Sequence, residues 1–150
     1  MIRVVLDANI FVSTILKSRS NPAKVFQLAE EWKVTLISSE EILSEVRAVL
    51  LYPKLRRLHG RTPEKIVEFI KRATRVSFIV PGKTKIEAIK DDPNDNKYLS
   101  AAVEGKADFI VSGDHDLKDL KNFQGIRILD PSAFLGLVKT LKWIEAWELE

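Results

Sequence analysis

Short apolar runs alternate along this chain with longer stretches in which apolar residues recur at helical spacing. The run Ile2–Leu6 is aliphatic and β-branched apart from Arg3, which predicts a buried strand. Similar runs lie at Val34–Ile37, Val76–Val80, Phe109–Val111 and Ile126–Leu129. Strands separated by helices predict an α/β fold, here a three-layer α/β/α sandwich around a central, mostly parallel sheet of about five strands.

Capping signals predict where the helices begin. Asn21 before Pro22 has the composition of an N-cap followed by proline at the first helical position. Ser38 with Glu41 has the spacing of a capping box. Further helices are predicted to open at Thr62-Pro63, Asp92-Pro93 and Pro131. The 150 residues contain neither a repeat nor a linker that would divide them, which predicts one domain over residues 1–150.

Two aspartates follow predicted strands at the point where each strand ends. Asp7 comes directly after Leu6, and Asp114 follows the strand that ends at Val111. The carboxyl ends of parallel strands meet at one edge of a sheet, where open α/β folds bind their ligands. We therefore expect these two carboxylates to converge. Each aspartate alone also suits a turn or a helix cap, but that interpretation explains their shared placement less well.

Glu45 and Asp95 are the other candidate acids, and both belong to predicted helices. Glu45 lies three residues after Ile42 and four before Val49, beside the apolar face of its helix, so its carboxylate needs a partner. That partner is either a cation site or a nearby lysine or arginine. Asp92 suits the N-cap of the next helix and Asp95 its third position, from which a side chain can point into a cleft.

The residue composition restricts the chemistry of such a site. The chain contains no cysteine and only two histidines, which excludes thiolate metal sites and argues against an ordinary zinc site. Clustered carboxylates suit Mg²⁺ or Mn²⁺ instead, because these ions bind through a few carboxylates, waters and substrate phosphate. One or two such ions would lower the pKa of a bound water and neutralise charge on a phosphodiester.

Basic residues are concentrated in the middle of the chain, although the net charge is only +3. Between Arg47 and Arg75, nine basic residues accompany two acidic ones, so the rest of the chain is net acidic. A basic surface beside an acidic pocket suits a phosphodiester substrate, and a solvated helical face is the alternative. The residues predicted to contact the phosphodiester backbone are Lys54, Arg56, Arg57 and Arg61. Because neither a signal-peptide pattern nor a membrane-spanning apolar run is present, we expect a cytoplasmic protein.

Four motifs, in order along the chain, resemble those of a PIN domain. They are Val5-Leu6-Asp7-Ala8-Asn9, then Ser44-Glu45, then Asp92-Pro93-Asn94-Asp95-Asn96 with Leu99-Ser100-Ala101-Ala102, and finally Val111-Ser112-Gly113-Asp114-His115-Asp116-Leu117. The likeness extends through Ile128–Pro131 and Phe134, and it is nearest to VapC-type toxins of toxin–antitoxin systems. Each motif alone is weak, whereas four of them in this order at these elements are specific.

The resemblance implies a Mg²⁺- or Mn²⁺-dependent endoribonuclease that cleaves single-stranded RNA and, if it is a toxin, has an antitoxin protein as its partner. By position, its catalytic and metal-binding acids are Asp7, Glu45, Asp95 and Asp114. Its auxiliary residues are Asn9, Asp92, Ser112 and Asp116. Ser112 stands where the family usually has threonine, and it keeps the hydroxyl.

Self-association and other functions stay open. PIN-type proteins commonly form homodimers, and the last helix carries an apolar stripe with two tryptophans beside it, namely Leu137, Leu141, Ile144, Trp143 and Trp147. The tryptophans pack either on the parent domain or in a homodimer.

Two alternatives to a toxin ribonuclease are a non-catalytic RNA-binding or assembly module and an RNA-processing nuclease that is not a toxin. A phosphate-receiving signalling domain fits less well, because it would have an acceptor aspartate at the end of a middle strand, where Val76–Val80 is followed by Pro81-Gly82. An Asp-x-Asp phosphatase also fits less well, because Asn9 replaces its general acid.

Overall fold

The sheet of the computed structural model confirms the predicted α/β fold class. The structure describes residues 1–89 and 93–148, with side chains through residue 142. Within these ranges six strands form one sheet: β1 Arg3–Leu6, β2 Thr35–Ser39, β3 Ser77–Val80, β4 Phe109–Val111, β5 Asn122–Phe123 and β6 Ile126–Leu129. Their order is β3-β2-β1-β4-β6-β5. Every neighbouring pair is parallel except β5 with β6. The two-residue β5 was not predicted, because a hairpin arm this short carries no alternation.

The helices occupy the connections between the strands. In the described ranges they are α1 Ala8–Leu16, α2 Asn21–Glu30, α3 Glu40–Leu51, α4 Pro53–His59, α5 Pro63–Arg75, α6 Asn96–Glu104, α7 His115–Leu120 and α8 Pro131–Glu148. A 3-10 turn, Pro93–Asp95, leads into α6. The helix predicted to open at Asp92-Pro93 therefore begins only at Asn96, and Asp95 lies at its N-cap and not at its third position. The short helices α4 and α7 were not predicted. None of these helices combines the length and the apolar content that a membrane crossing requires.

Two predicted helix starts were wrong by one residue. Ser20 is the N-cap of α2, and its hydroxyl accepts a hydrogen bond from the Ala23 N–H, so Asn21 already lies inside the helix. Ser39, and not Ser38, caps α3 through the Ile42 N–H. Pairing with β3 extends β2 through Ser39, and this tertiary contact moves the helix start. The predicted start of α5, with Thr62 as its N-cap, is confirmed.

The core lies on both sides of the sheet. Phe11, Phe26 and Phe69 form a chain of ring contacts on the side of α1, α2 and α5. Phe109 and Phe134 make an edge-to-face contact between β4 and α8. The helix α6 packs on β1, β2 and β4, and seven consecutive residues, 96–102, are buried. A helix that is buried all round has little room for solvated side chains, so any polar residue in it needs a partner.

The register of β1 with β4 positions the candidate site. The two strands are parallel neighbours, and Leu6 at the end of β1 pairs with Val111 at the end of β4. The Asp7 N–H then donates to the Val111 carbonyl at 3.2 Å. The residues that follow each strand, Asp7 and Ser112, are therefore side by side at the carboxyl edge of the sheet.

Candidate functional site

Asp7 is a buried acid at the start of α1. Its side chain is 2% exposed, and its Oδ1 accepts a hydrogen bond from the Ile10 N–H at 3.1 Å. The Ser112 hydroxyl donates to its Oδ2. The Ser112 Oγ in turn accepts from the Asp114 N–H at 2.9 Å. Ser112 therefore couples the two strand-end aspartates through one hydroxyl, which explains why a hydroxyl-bearing residue suits this position.

Burial dominates the electrostatics of Asp7. It raises the pKa of this carboxyl from 3.8 to about 6, against the opposing effect of the hydrogen bonds from Ser112 and Ile10. The negative charge of Asp114 raises the pKa further. A carboxylate whose charge is disfavoured by burial and by a second acid would be stabilised by a cation close to it.

Asp114 has both a structural and a site position. It is the N-cap of α7, and its Oδ1 accepts from the N–H groups of Asp116 and Leu117 at 2.8 Å and 3.3 Å. Asp7 is likewise the N-cap of α1. The two interpretations that the sequence left open, capping and convergence at the sheet edge, thus hold together. Capping fixes the direction of each carboxylate and needs only part of its acceptor capacity.

Three carboxylates converge within a few ångströms. Asp95, Asp114 and Asp116 each offer one oxygen, and these oxygens lie within 4.8 Å of one another. Asp95 is buried, and the other two are half-buried. All the donors are hard oxygen atoms, and like charges this close favour a shared cation. The residues present therefore fit a divalent ion such as Mg²⁺ or Mn²⁺, and the group includes Asp116, which the sequence placed only among the auxiliary residues.

Glu45 belongs to a different local arrangement. Its carboxylate makes an ion pair with Lys97, accepts a hydrogen bond from the Tyr98 hydroxyl at 3.0 Å and accepts another from the Asn94 amide at 3.4 Å. Of the two partners that the sequence left open for Glu45, the salt bridge is the one observed here.

Tyr98 connects Glu45 to the Asp7 turn. Its hydroxyl donates to Glu45 and accepts from the Ala8 N–H at 3.1 Å. Burial, reinforced by the charges of Glu45 and Asp7, raises the pKa of Tyr98 well above its ordinary value. The hydroxyl therefore stays protonated, and it donates to Glu45 throughout the physiological pH range.

Sequence reasoning missed Asn94, Lys97 and Tyr98 as site residues. Asn94 lies within the predicted acidic motif, Lys97 and Tyr98 follow it directly, and all three contact Glu45. Lys97 carried a usable signal, because it lies among apolar and small residues in a helix without a polar face, and a buried lysine requires an acidic partner. Between Asp95 and Lys97, Asn96 exchanges two hydrogen bonds of 2.9 Å with the backbone of Ile89 and so holds the preceding segment against α6.

The remaining predicted site residues are placed as follows. Asn9 is exposed and lines a cavity of about 320 Å³ together with Gly113 and Asp130. Asp92 lies outside the described residues. On α4, Lys54, Arg56 and Arg57 are exposed.

Arg61 differs from the other three predicted RNA contacts because it is tied into the fold. It is half-buried, and its Nη1 donates to the Ile15 carbonyl at the end of α1 at 2.8 Å. A pocket of about 480 Å³ lies between α4 and the start of α5, and its lining includes Arg56, Arg57 and Arg61.

Comparisons with known proteins identify similar sequences and similar folds. A family model described as PIN domain matches residues 3–116. The uncharacterized protein MJ1680 of Methanocaldococcus jannaschii is 34% identical over 121 residues, which cover 81% of this chain and 76% of that protein.

Two solved structures are similar in fold. One is VapBC2 from Rickettsia felis bound to a DNA fragment from its promoter, with a TM-score of 0.56, 15% identity, and coverage of 85% of this chain and 97% of that chain. The other is DNA-bound VapBC from Salmonella typhimurium, with a TM-score of 0.57, 17% identity, and coverage of 87% and 99%. At these identities the two structures show a shared fold.

Proposed function

Because this chain belongs to the PIN domain family, whose members are generally nucleases, we propose that it is a metal-dependent endoribonuclease that cleaves single-stranded RNA. One observation carries the proposal. The carboxylate oxygens of Asp95, Asp114 and Asp116 lie within 4.8 Å of one another at the carboxyl edge of the sheet. A group of acids this dense, without thiolate or imidazole donors, is suited to Mg²⁺ or Mn²⁺.

Each residue of the proposed site has a distinct role. Asp7, Glu45, Asp95 and Asp114 form the proposed catalytic set, and the aspartates among them, with Asp116 beside them, are the proposed metal ligands. A bound Mg²⁺ or Mn²⁺ would supply a water of lowered pKa and would neutralise charge on the phosphate. Ser112 orients the carboxylate of Asp7, while Lys97 and Tyr98 orient that of Glu45. Asn9 and Asp92 remain proposed auxiliary residues.

Cleavage of labelled single-stranded RNA tests the activity. We expect the purified chain to cleave with Mg²⁺ or Mn²⁺ and to stop with EDTA, and we expect Asp95→Asn to lose most of the rate because it removes ligand charge at constant volume. Asp119→Asn is the matched control, since Asp119 is an exposed acid and its loss should leave the rate unchanged. Cleavage that persists in EDTA, or that Asp95→Asn retains, would contradict the proposal.

The RNA backbone is proposed to run over α4. Lys54, Arg56 and Arg57 are exposed there, and their concentrated positive charge suits contacts with phosphates. Arg61 shapes this surface from below through its bond to the Ile15 carbonyl.

Salt-dependent binding separates these two roles. Arg56→Ala with Arg57→Ala should weaken RNA binding and lower the salt slope by about 1.4, since each phosphate contact on a single strand contributes about 0.7. Arg61→Ala should weaken RNA binding and should also reduce thermal stability, because it removes the hydrogen bond to the Ile15 carbonyl. If affinity and salt slope are unchanged in the double variant, α4 is only a solvated face.

A toxin role is proposed on the likeness in fold to the two VapBC structures. Expression of the chain in the cytoplasm of a host cell should then arrest cell growth, whereas expression of the Asp95→Asn variant should not. Co-expression of a small DNA-binding antitoxin from a neighbouring gene should restore growth. An RNA-processing nuclease would instead cleave RNA without arresting growth. A non-catalytic RNA-binding module is the remaining alternative, and the ion pair that already neutralises Glu45 is the observation in its favour. It predicts binding without cleavage.

A homodimer is the proposed oligomeric state. The side chains of Ile144, Trp143 and Trp147 lie outside the described side chains of α8, and Leu137 and Leu141 are half-buried. Tryptophans typically anchor interface centres. Sedimentation at micromolar concentration should give twice 17.1 kDa, and Trp147→Ala should dissociate the dimer. A monomer of 17.1 kDa would exclude it.

A further inference from the structure

Lys97 is a buried cation within the candidate site. Its side chain is 5% exposed, and its Nζ makes an ion pair with a Glu45 carboxylate that is itself 30% exposed. The same Nζ lies 5.2 Å from the centroid of the Tyr98 ring. An ammonium group this buried requires a fixed anionic partner. For Lys97 on α6, that partner is the Glu45 carboxylate.

The acids of the site therefore divide into two groups. Asp95, Asp114 and Asp116 bring their oxygens together, and Asp7 is coupled to Asp114 through Ser112. The Glu45 carboxylate instead contacts three donors, two from side chains of α6 and one from Asn94 just before it. Two-metal nucleases hold their ions about 4 Å apart with carboxylates shared between them. In this chain, the carboxylate on the Glu45 side already has a monovalent cation of its own.

We infer that Lys97 takes the place of a second divalent ion, so that the site binds one divalent ion through its aspartates and none through Glu45. The inference rests on the proposed metal-dependent function. It concerns how many ions the site holds and leaves open how fast the chain cleaves RNA. Lys97 acts as a positioning residue here, because its contacts are with Glu45 and Tyr98. Its charge also keeps the Glu45 carboxylate from attracting another cation.

A Mn²⁺ titration of the full chain tests the inference without using activity. The protein is stripped with EDTA, dialysed, and titrated while the electron paramagnetic resonance signal of free Mn²⁺ is followed. We expect one bound Mn²⁺ per wild-type chain and two per Lys97→Met chain, because methionine keeps most of the volume of lysine and frees the Glu45 carboxylate. Two ions in the wild type, or one in Lys97→Met, would overturn the inference.

Three matched variants separate charge from packing. Lys97→Arg retains the cation and should bind one ion. Lys106→Met removes an exposed lysine just after α6 and should also bind one. The double variant Glu45→Gln with Lys97→Met removes both members of the pair without a change in net charge, so it should fold and lose the second ion again. If the double variant retains two ions, the second ion does not depend on Glu45 and the inference is wrong.

The failures of the two proposals are distinguishable. A wild-type chain that binds two ions and cleaves RNA keeps the proposed function and rejects the role of Lys97. A chain that binds one ion, gains a second in Lys97→Met and cleaves nothing keeps the role of Lys97 and rejects the nuclease. Absence of Mn²⁺ binding in the wild type rejects both. Should Lys97→Met fail to fold, the wild-type count decides, since two ions overturn the inference and one supports it.

Discussion

Asp7 and Glu45 are two acids of one candidate site whose charges are compensated differently. Asp7 is 2% exposed, accepts hydrogen bonds from uncharged donors, and lies near a second acid. Glu45 is more exposed and has the ammonium of Lys97 against it. The uncompensated charge of Asp7 favours a cation that arrives from solution. The charge of Glu45 is already satisfied by a cation that the fold supplies.

The difference comes from the elements that carry the two acids. Asp7 follows a strand and starts a helix, so its closest donors are backbone N–H groups and the hydroxyl of the next strand's Ser112. Glu45 lies on α3 and faces α6, where a lysine and a tyrosine are available. A carboxylate at a strand end can keep an acceptor oxygen directed towards a metal ion. A carboxylate between two helices is instead contacted by side chains of the neighbouring helix.

Of the effects that distinguish Asp7 from Glu45, the largest should be on the rate of RNA cleavage when Asp7 is replaced. Asp7→Asn removes charge beside the proposed metal, and we expect RNA cleavage to fall by about a hundredfold or more. Single-turnover cleavage at saturating Mn²⁺ measures it. Ser13→Ala, at a half-buried position on the same helix, is the control and should cleave at the wild-type rate. A rate within a few-fold of wild type for Asp7→Asn would show that Asp7 serves only as the cap of α1.

Stability of the metal-free protein should change in the opposite direction to the rate. Because the folded state raises the pKa of Asp7 from 3.8 to about 6, it binds the proton more tightly than the unfolded state does. The contribution of Asp7 to stability is therefore greatest below pH 4 and is lost as the pH rises from about 4 to about 6. Asp7→Asn should remove this loss and raise the free energy of unfolding at pH 7 by up to about 3 kcal/mol.

Urea denaturation in EDTA at several pH values between 4 and 8 checks this prediction. The difference between Asp7→Asn and wild type should grow from pH 4 to pH 6 and then stay constant. Addition of Mn²⁺ should stabilise the wild type more than the variant, since ligand binding to the folded state adds to stability. A variant that is less stable than wild type at pH 7 in EDTA would contradict the assigned cause.

Glu45→Gln should lower stability, in contrast to Asp7→Asn. The substitution leaves the buried ammonium of Lys97 without its anion. Breaking a fully buried pair costs about 3–5 kcal/mol, and the partial exposure of Glu45 reduces the expected loss to about 2 kcal/mol. Thermal and urea unfolding measure it. Glu41→Gln, at an exposed position in the first turn of the same helix, should cost less than about 1 kcal/mol, because it removes only an interaction with the helix N-terminus. Equal stability of both variants would mean that Lys97 finds water or another acceptor.

The smallest effect should come from the group that joins the two acids. Tyr98→Phe removes the hydroxyl that donates to Glu45 and accepts from the Ala8 N–H, and we expect a loss of about 1 kcal/mol. Tyr52→Phe, at an exposed position, is the control for loss of a phenol. The rate should fall less than in Asp7→Asn, because both acids keep their other partners. A loss of rate as large as that of Asp7→Asn would instead assign Tyr98 to the reaction itself.

The local signals in the sequence were sufficient for most of the fold. β1, β4 and β6 and the start of α5 lie where apolar runs and capping residues predicted them. The errors of one residue at α2 and α3 both arise where adjacent polar residues compete for the cap. At α3, pairing of β2 with β3 chooses between them. The short elements α4, α7 and β5 escaped prediction because few residues carry too little periodicity.

For the site, the sequence by itself determined which acids stand at strand ends and helix starts, since each position follows from local pattern. Only the tertiary structure decided how their charges are compensated. Lys97 and Glu45 are 52 positions apart, and their contact depends on how α3 packs on α6. In the same way, Asp116 joins Asp95 only because the start of α7 reaches the start of α6 at the sheet edge. Charge compensation acts through space over a few ångströms, and spacing along the chain does not encode that distance.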